Sequence, residues 1–481
     1  MKTKLFLLSL LLWISAYSQA QSQFNCYTIA AGKNATATGN VMLAHNEDDH
    51  GKNYLNIHKT KAGKSKYYKL KNGGKFSSAV TQLPALWIEM PGQEFADVFI
   101  NDAGVMIVSN ACPSREDKPE LTDGGIGWML RQITGRHATS ARDAVLLAGK
   151  LINRFGYASS GRTYTFADQH DIWVMSVVNG KHWIAQRVPD DEIMIIANYY
   201  TIQQVNLKDS LNFMGSPDLI SYAEKRGWYQ PDKDGAFNFR SVYGKPESLA
   251  HIGNIARQWQ GIKLLSEKSY PVQEKFPFSF KPKHKLTLSD LMRVLENHYE
   301  GNEFDDSRYY RCGNPHDGGI NSICSDINQF SIVTEFRNDI PHDMGSLCHI
   351  AFRRPCIQPY VPFFTGVDAF PDNFSYIPVS KSLSNHFNKA PYESPDSIHL
   401  FPLYVTYAKE VDASYATRID AIRSQKLKRE NAYKKRTEIF IDTYRELKKT
   451  DPAKASNLLN TYTPNILDEI RKGMKRQLMN N

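Results

Sequence analysis

The chain has 481 residues, a formal net charge of +9, 41% hydrophobic residues and six cysteines. The apolar content is ample for a real core, and the length allows two or three average domains or one large architecture. The modest charge comes with no recognisable nucleic-acid module, and six cysteines in so long a chain do not make a disulfide framework.

The first residues read as a secretory signal. Lys2 and Lys4 form a positive start, residues 5–16 are apolar but short for a comfortable membrane span, and Ser18-Gln19-Ala20 offers small residues for cleavage. Residues 1–20 are therefore expected to be removed on export, to a periplasmic or extracellular location. No later run is long and apolar enough to span a bilayer, so no transmembrane segment is expected.

Strand-like sequence follows at 27–31 and 41–44, joined by the turn-rich stretch 32–40, which suits a hairpin. Two more strands are expected at 95–100 and 105–109, with Asn101-Asp102-Ala103-Gly104 as turn chemistry between them. Helical spacing then appears at 127–135 and 140–155, the second with Ser140 and Asp143 as an N-terminal cap. Strands return at 163–167, 172–178, 182–187 and 193–197, and Asn179-Gly180 is a strong hairpin signal.

The order of strands, helices and strands suits an α+β layered domain rather than a doubly wound fold. Residues 270–285 read as extended loop, 288–299 as a short helix, and 331–336 and 346–352 as strands. From about Tyr407 the chain reads as helical, with breaks near Asp451-Pro452 and Thr463-Pro464. The basic cluster Arg423, Lys426, Lys428, Arg429, Lys434, Lys435 and Arg436 reads as a solvated helix face.

Cys312, Cys324, Cys348 and Cys356 are close enough in sequence for one or two disulfides. No CxxC pair or His/Cys group has zinc spacing. His316, His342 and His349 read as surface or packed histidines, and no metal or cofactor is expected.

Cys26 lies just beyond the expected signal cleavage site and has three readings. Lipidation wants an apolar residue and a small residue at positions held here by Gln23 and Asn25. A disulfide is possible on spacing. The third reading is an N-terminal nucleophile, freed by cleavage of the Asn25–Cys26 bond. A thiol titrates near about 8.5 and an α-amine near about 7.7 to 8.0. The new amine can therefore take the thiol proton, and the thiolate can attack an amide carbonyl whose oxyanion is held by fixed N–H donors.

The blocks 26–33 and 42–49 resemble the dipeptidase A family of cysteine N-terminal-nucleophile hydrolases. The resemblance continues through 95–105, 109–115, 155–161 and 179–191. It extends to Gly215-Ser216-Pro217-Asp218, His298-Tyr299-Glu300-Gly301, Arg354-Pro355-Cys356 and Lys449-Thr450-Asp451-Pro452. It spans essentially the whole mature chain, in order. It implies an αββα sandwich in which two antiparallel sheets pack between helical layers. The expected division is a short propeptide at 21–25, a catalytic domain at 26–405 and a C-terminal helical extension at 406–481. The implied activity is metal-free hydrolysis of small peptides, namely dipeptides with a free N-terminus.

The resemblance also assigns roles. Cys26 is the nucleophile and its α-amine the general base. Asp48 orients the thiol or amine. Asn110, through its backbone N–H, and Asn198, through its side chain, serve the oxyanion, each following a strand. Glu47 or Asp49 offers a carboxylate to the substrate ammonium. His45 and Asn321 occupy substrate-side positions where the family usually carries arginine. Two alternatives stay open: an amidase or acylase acting on N-acyl amides, which the same fold would serve, and a catalytically weakened binding protein, which the loss of those two charges motivates.

Overall fold

The computed structural model describes residues 26–49, 55–64, 67–70, 73–77, 81–89, 98–272, 275–305, 314–317, 320–370, 374 and 400–479. The expected signal and propeptide, the start of the 95–100 strand, and Cys312 lie outside the described residues.

Two antiparallel sheets dominate the described residues. The first contains β1 (Tyr27–Ala31), β2 (Met42–Asp48), β12 (Ile193–Ile196), β14 (Asn328–Glu335), β15 (Leu347–Phe352) and β16 (Val361–Phe364), in the order β12-β1-β2-β14-β15-β16. The second contains β3 (Asn56–Thr60), β6 (Ala85–Glu89), β7 (Val98–Asn101), β8 (Met106–Ala111), β9 (Tyr157–Ala167), β10 (Ile172–Gly180), β11 (Trp183–Arg187) and β13 (Phe213–Gly215). Its order is β13-β11-β10-β9-β8-β7-β6-β3. A separate small ribbon pairs β4 (Tyr68–Lys69) with β5 (Lys75–Phe76).

Alternation along the strands explains the layering. Ala30 and Leu43 of the first sheet share one core with Leu86, Ile100, Val108 and Val174 of the second. Their sequence neighbours Ile29, Ala31, Met42 and Ala44 point the other way, as the two-residue side-chain period of a strand requires. There they pack with helices α3 (Ile252–Leu265) and α4 (Leu288–Leu295). Phe99, Ile107, Phe166 and Trp173 of the second sheet similarly meet α1 (Met129–His137) and α2 (Ala141–Phe155). Helix, sheet, sheet and helix thus form four layers. Each wholly buried Ile, Leu or Phe in them contributes about 1.5–3 kcal/mol.

Several local expectations hold. The 27–31 strand and its hairpin with β2 form as read, with Ile29 opposite Ala44. Ser140 caps α2 by accepting the Asp143 N–H at 3.1 Å. Gly180 turns the β10–β11 hairpin at φ 99°. Other boundaries move. β2 runs past Ala44 to Asp48, carrying His45, Asn46, Glu47 and Asp48 inside a buried strand. These polar residues break the apolar pattern, which is why sequence ended the strand early.

The C-terminal helices are α5 (Phe401–Asp412), α6 (Tyr415–Thr450) and α7 (Pro452–Met479). Helix begins at Phe401 rather than near Tyr407. Residues Tyr404, Phe440 and Leu467 join the same core as Phe352 and Phe364. The break at Asp451 is real, but α7 continues through Pro464. Thr463 is fully packed there and donates to Pro362 O at 2.8 Å, so tertiary contact overrides the proline signal. Among the described residues no helix is long and apolar enough to cross a membrane.

One close approach sets the site. A Cβ at Gly261 of α3 would lie 2.0 Å from Tyr27 Oη. Glycine lets α3 settle onto β1, where Tyr27 Oη donates to Arg257 O at 3.0 Å.

Candidate active site

Cys26 sits at the start of β1 and is only 1% exposed. Strand alternation puts its side chain on the same face as Thr28, and His45 and Glu47 share the adjoining face of β2. The Cys26 thiol donates to Glu47 Oε1 at 3.3 Å. Glu47 Oε2 is 3.0 Å from His45 Nε2, and His45 Nδ1 is 2.8 Å from Thr28 Oγ1. Thr28 in turn donates to Asn110 Oδ1 at 2.6 Å, and Asn110 Nδ2 donates to Cys26 O at 2.9 Å. The circuit leaves Cys26 at its sulfur and returns at its carbonyl.

Proton counting fixes the polarity of this ring. Asn110 turns its NH₂ toward two carbonyls, Cys26 O and the more distant Ile196 O, so its oxygen is an acceptor. Thr28 has one hydroxyl proton and gives it to that oxygen, so it accepts from His45 Nδ1–H. A neutral His45 then has a bare Nε2, and Glu47 must supply the proton between them. Burial favours that neutral pair. It pushes the Glu47 carboxyl up to about 7, against the opposing charges of Arg131 and Arg162. It brings His45 down to about 3, with Arg131 adding to the effect.

The Cys26 thiol is held well above its ordinary value, first by burial and then by the charges of Glu47 and Asp48. A hydrogen bond from the Asp48 main-chain N–H and the charge of Arg162 work the other way. The Asp48 carboxylate is itself pinned. Ser325 Oγ donates to one oxygen at 2.5 Å and Asn328 Nδ2 to the other at 3.0 Å. Burial still raises it to about 6.

The assigned residues therefore separate. Glu47, expected at the substrate, is the carboxylate that touches the thiol. Asp48 influences Cys26 through its main-chain N–H and its charge. Asn110 lies within β8 rather than after it, and its side chain anchors the Cys26 carbonyl. Asn198 does follow β12, but its Nδ2 is turned to Ala111 O at 3.1 Å. His45 is 0% exposed with both ring nitrogens engaged inside the protein. Asp49 is buried and adds negative charge beside Glu47. Asn321 is tied to Tyr299 Oη through its backbone carbonyl.

The loss of two arginines at His45 and Asn321 does not strip the site of positive charge. Arg162 of β9 acts on both Cys26 and Glu47, and Arg131 of α1 acts on Glu47 and His45. Arg257 of α3 reaches Cys26 O at 3.4 Å and Asn198 Oδ1 at 3.0 Å. Sequence reasoning missed all three, along with Thr28, Ser325 and Asn328. The arginines arrive from separate helices and a distant strand, and no local pattern joins them to Cys26. Thr28 alone had a signal, since it lies inside the 26–33 block that resembles the family. A cavity of about 530 Å³ between Asn40, Glu335 and the α6 residues Glu430 and Tyr433 includes none of Cys26, His45 or Glu47 in its lining.

Four αββα layers with a cysteine at the head of the first strand define the N-terminal-nucleophile type of hydrolase fold. The family described as "Peptidase family C69" matches residues 25–392. The chain belongs to that family and is a peptide-bond hydrolase. It is 24% identical over 387 residues to a "Probable dipeptidase" of Latilactobacillus sakei, covering 75% of this chain and 78% of the relative. It is 26% identical over 358 residues to one of Salmonella dublin, covering 71% and 81%. With dipeptidase A of Lactobacillus helveticus it shares 25% over 384 residues, covering 74% and 78%. Among solved structures, a conjugated bile acid hydrolase from Clostridium perfringens aligns with TM-score 0.37 and 8% identity, over 73% of this chain and 98% of that one.

Proposed function

We propose that this protein is an exported cysteine dipeptidase whose nucleophile, Cys26, becomes N-terminal by cleavage after Asn25. The observation that carries this reading is the contact of the Cys26 thiol with Glu47 at 3.3 Å, with the Cys26 carbonyl clamped by Asn110 and Arg257. A nucleophile fixed at its backbone and bonded at its sulfur is set for attack. The relatives named as dipeptidases support the substrate class.

In the uncleaved chain the Cys26 nitrogen is a peptide amide and cannot serve as the base. Cleavage supplies an α-amine with an ordinary value near about 8. That amine takes the thiol proton, and the thiolate attacks the scissile carbonyl. The amine then protonates the leaving amino acid, and water hydrolyses the thioester. The pinned Asp48 carboxylate favours the protonated amine when it forms.

Glu47 accounts for the preference for a free N-terminus. In a dipeptide the ammonium nitrogen is only about 2.5 Å from the scissile carbonyl carbon, two bonds away. Glu47 already touches the attacking sulfur and, with its carboxyl at about 7, gives up its proton when the ammonium arrives, so a carboxylate is within reach of that charge. An N-acetylated dipeptide offers no positive charge to it.

The direct test compares dipeptides with their N-acetyl forms on the purified mature protein. Release of amino acids from the free dipeptides alone supports the reading. Equal or faster cleavage of the N-acyl compounds would assign the site to an acylase. No turnover across a broad dipeptide panel would leave a binding protein.

A further inference from the structure

We propose that His298, His316, Cys324 and Cys356 form a closed, four-ligand site for a zinc-type divalent metal ion, separate from Cys26. Sequence spacing contained no zinc motif, and His316 read as a packed or surface residue. His316 is packed, and the fold adds the neighbours that spacing does not show. It brings His298 from the loop after α4, His316 from a short turn (Pro315–Asp317), Cys324 from the segment before β14, and Cys356 from the turn after β15. Their four donor atoms all lie within 4.8 Å of one another.

The spacing is that of a tetrahedron. With Zn–N near about 2.05 Å and Zn–S near about 2.3 Å, tetrahedral edges are about 3.3 Å for N to N and about 3.6 Å for N to S. Here the two Nε2 atoms are 3.2 Å apart. The Cys356 and Cys324 sulfurs are 3.7 and 3.9 Å from His316 Nε2. Both imidazole side chains are 0% exposed, and both cysteines are fully buried.

The outer contacts fix which nitrogen faces inward. His298 Nδ1 lies 3.1 Å from Glu300 Oε1, an oxygen that also accepts from Arg423. His316 Nδ1 has two acceptor oxygens beside it, Asn314 Oδ1 at 3.1 Å and Asp412 Oδ1 at 3.2 Å. Arg354 Nη1 lies 3.0 Å from the same nitrogen and donates to Asp412 Oδ2 as well. Asp412 Oδ1 has no hydrogen-bond partner among the described residues, so a His316 Nδ1–H turned toward it would satisfy it. With both rings protonated at Nδ1, as the neighbouring acceptor oxygens favour, two bare Nε2 lone pairs face each other across 3.2 Å. In that state the pair shares no proton, and a cation between the two nitrogens satisfies both lone pairs. Carboxylates that orient metal-bound imidazoles are the usual outer partners of such sites.

A divalent ion with two thiolates is electrically neutral, which suits a buried position. Binding displaces one proton from each cysteine thiol into solvent. Four protein ligands leave no open position, so the site is structural. Its place in the fold says what it holds. Cys324 adjoins Ser325, which pins Asp48, and Ile323 O accepts from Asn46 of β2. Asp412 and Arg423 bring in α5 and α6. The ion staples the support of the catalytic strand to the C-terminal helices.

The test is metal content of the purified full chain, produced with zinc in the medium and measured by mass spectrometry of the elements. About one zinc per chain is expected. The C324S/C356S double variant should hold less than about a tenth of that, and Cys348→Ala, another buried free cysteine, should keep it all. Should the double variant not fold, cobalt incorporated into the reduced wild-type chain decides. A thiolate-to-cobalt absorption with tetrahedral d–d bands supports the site. Wild-type protein that binds neither zinc nor cobalt, full zinc in a folded double variant, or a Cys324–Cys356 disulfide in the native protein would each overturn it.

Discussion

Cys26 and Cys356 each lie near a histidine and a carboxylate, yet the two neighbourhoods are wired in opposite senses. At Cys26 the carboxylate stands between sulfur and imidazole: Glu47 accepts from the thiol and bonds His45 with its other oxygen. The imidazole nitrogen never reaches the sulfur. At Cys356 the carboxylates stand outside, on the far nitrogens of His298 and His316, and bare Nε2 atoms turn toward the sulfurs. The same residue types thus give a proton-handling circuit in one place and a ligand cage in the other. What decides is the partner of the second ring nitrogen, not the presence of a histidine near a cysteine.

The sharpest way to break this contrast is at the sulfur. Cys26→Ala should lower dipeptide hydrolysis by about 10³-fold or more and leave zinc content unchanged. If maturation is autocatalytic, the same variant keeps its leader. Next in size is Asp48→Asn. Ser325 and Asn328 would still hold an amide there, so kcat should fall by about 10²-fold with KM little changed. A comparable rise in KM alone would make Asp48 a substrate contact instead.

Glu47→Gln should raise KM for free dipeptides by about 10-fold or more, the worth of one charge-assisted hydrogen bond. Turnover of N-acetyl dipeptides should stay where it was. Equal loss on both substrates would confine Glu47 to the proton circuit and remove it from the ammonium.

The smallest effect is a pH dependence of stability. The Glu47 and Asp48 carboxyls sit up at about 7 and about 6, mainly through burial. Between their ordinary range and those values the folded chain binds more protons than the unfolded chain. Their contribution therefore declines as pH rises from about 4 to about 7. Glu47→Gln removes the Glu47 share of that decline, so at pH 8 it should be more stable than the wild type by about 1–3 kcal/mol. The gap should nearly close at pH 4, as followed by thermal melts across that range.

Much of the fold was legible because its strands obey simple rules. Tyr27–Ala31 is apolar but for Thr28, and Asn179-Gly180 is hairpin chemistry wherever it stands. The layered α+β class followed from the order of such segments. The candidate site was legible only in part. Cys26 announced itself by position, and the Asn46-Glu47-Asp48 motif by resemblance. Polar residues inside buried β2 defeated the apolar pattern, as functional strands do. The division of labour between Glu47 and Asp48 depends on strand alternation and on which neighbours fill each face. Arg131, Arg162 and Arg257 converge only through the packing of α1, β9 and α3. The metal-ligand cluster was invisible for the same reason. Its four ligands come from four connections whose meeting is set by the sheet and the helices, and not by spacing.

The central claim is that Cys26 works as an N-terminal residue. The intact mass of the active enzyme, taken from the same preparation whose hydrolysis is measured, tests it most directly. The account predicts a chain that begins at Cys26. An active enzyme that begins at Gln21, with Cys26 still carrying a peptide bond to Asn25, would contradict it.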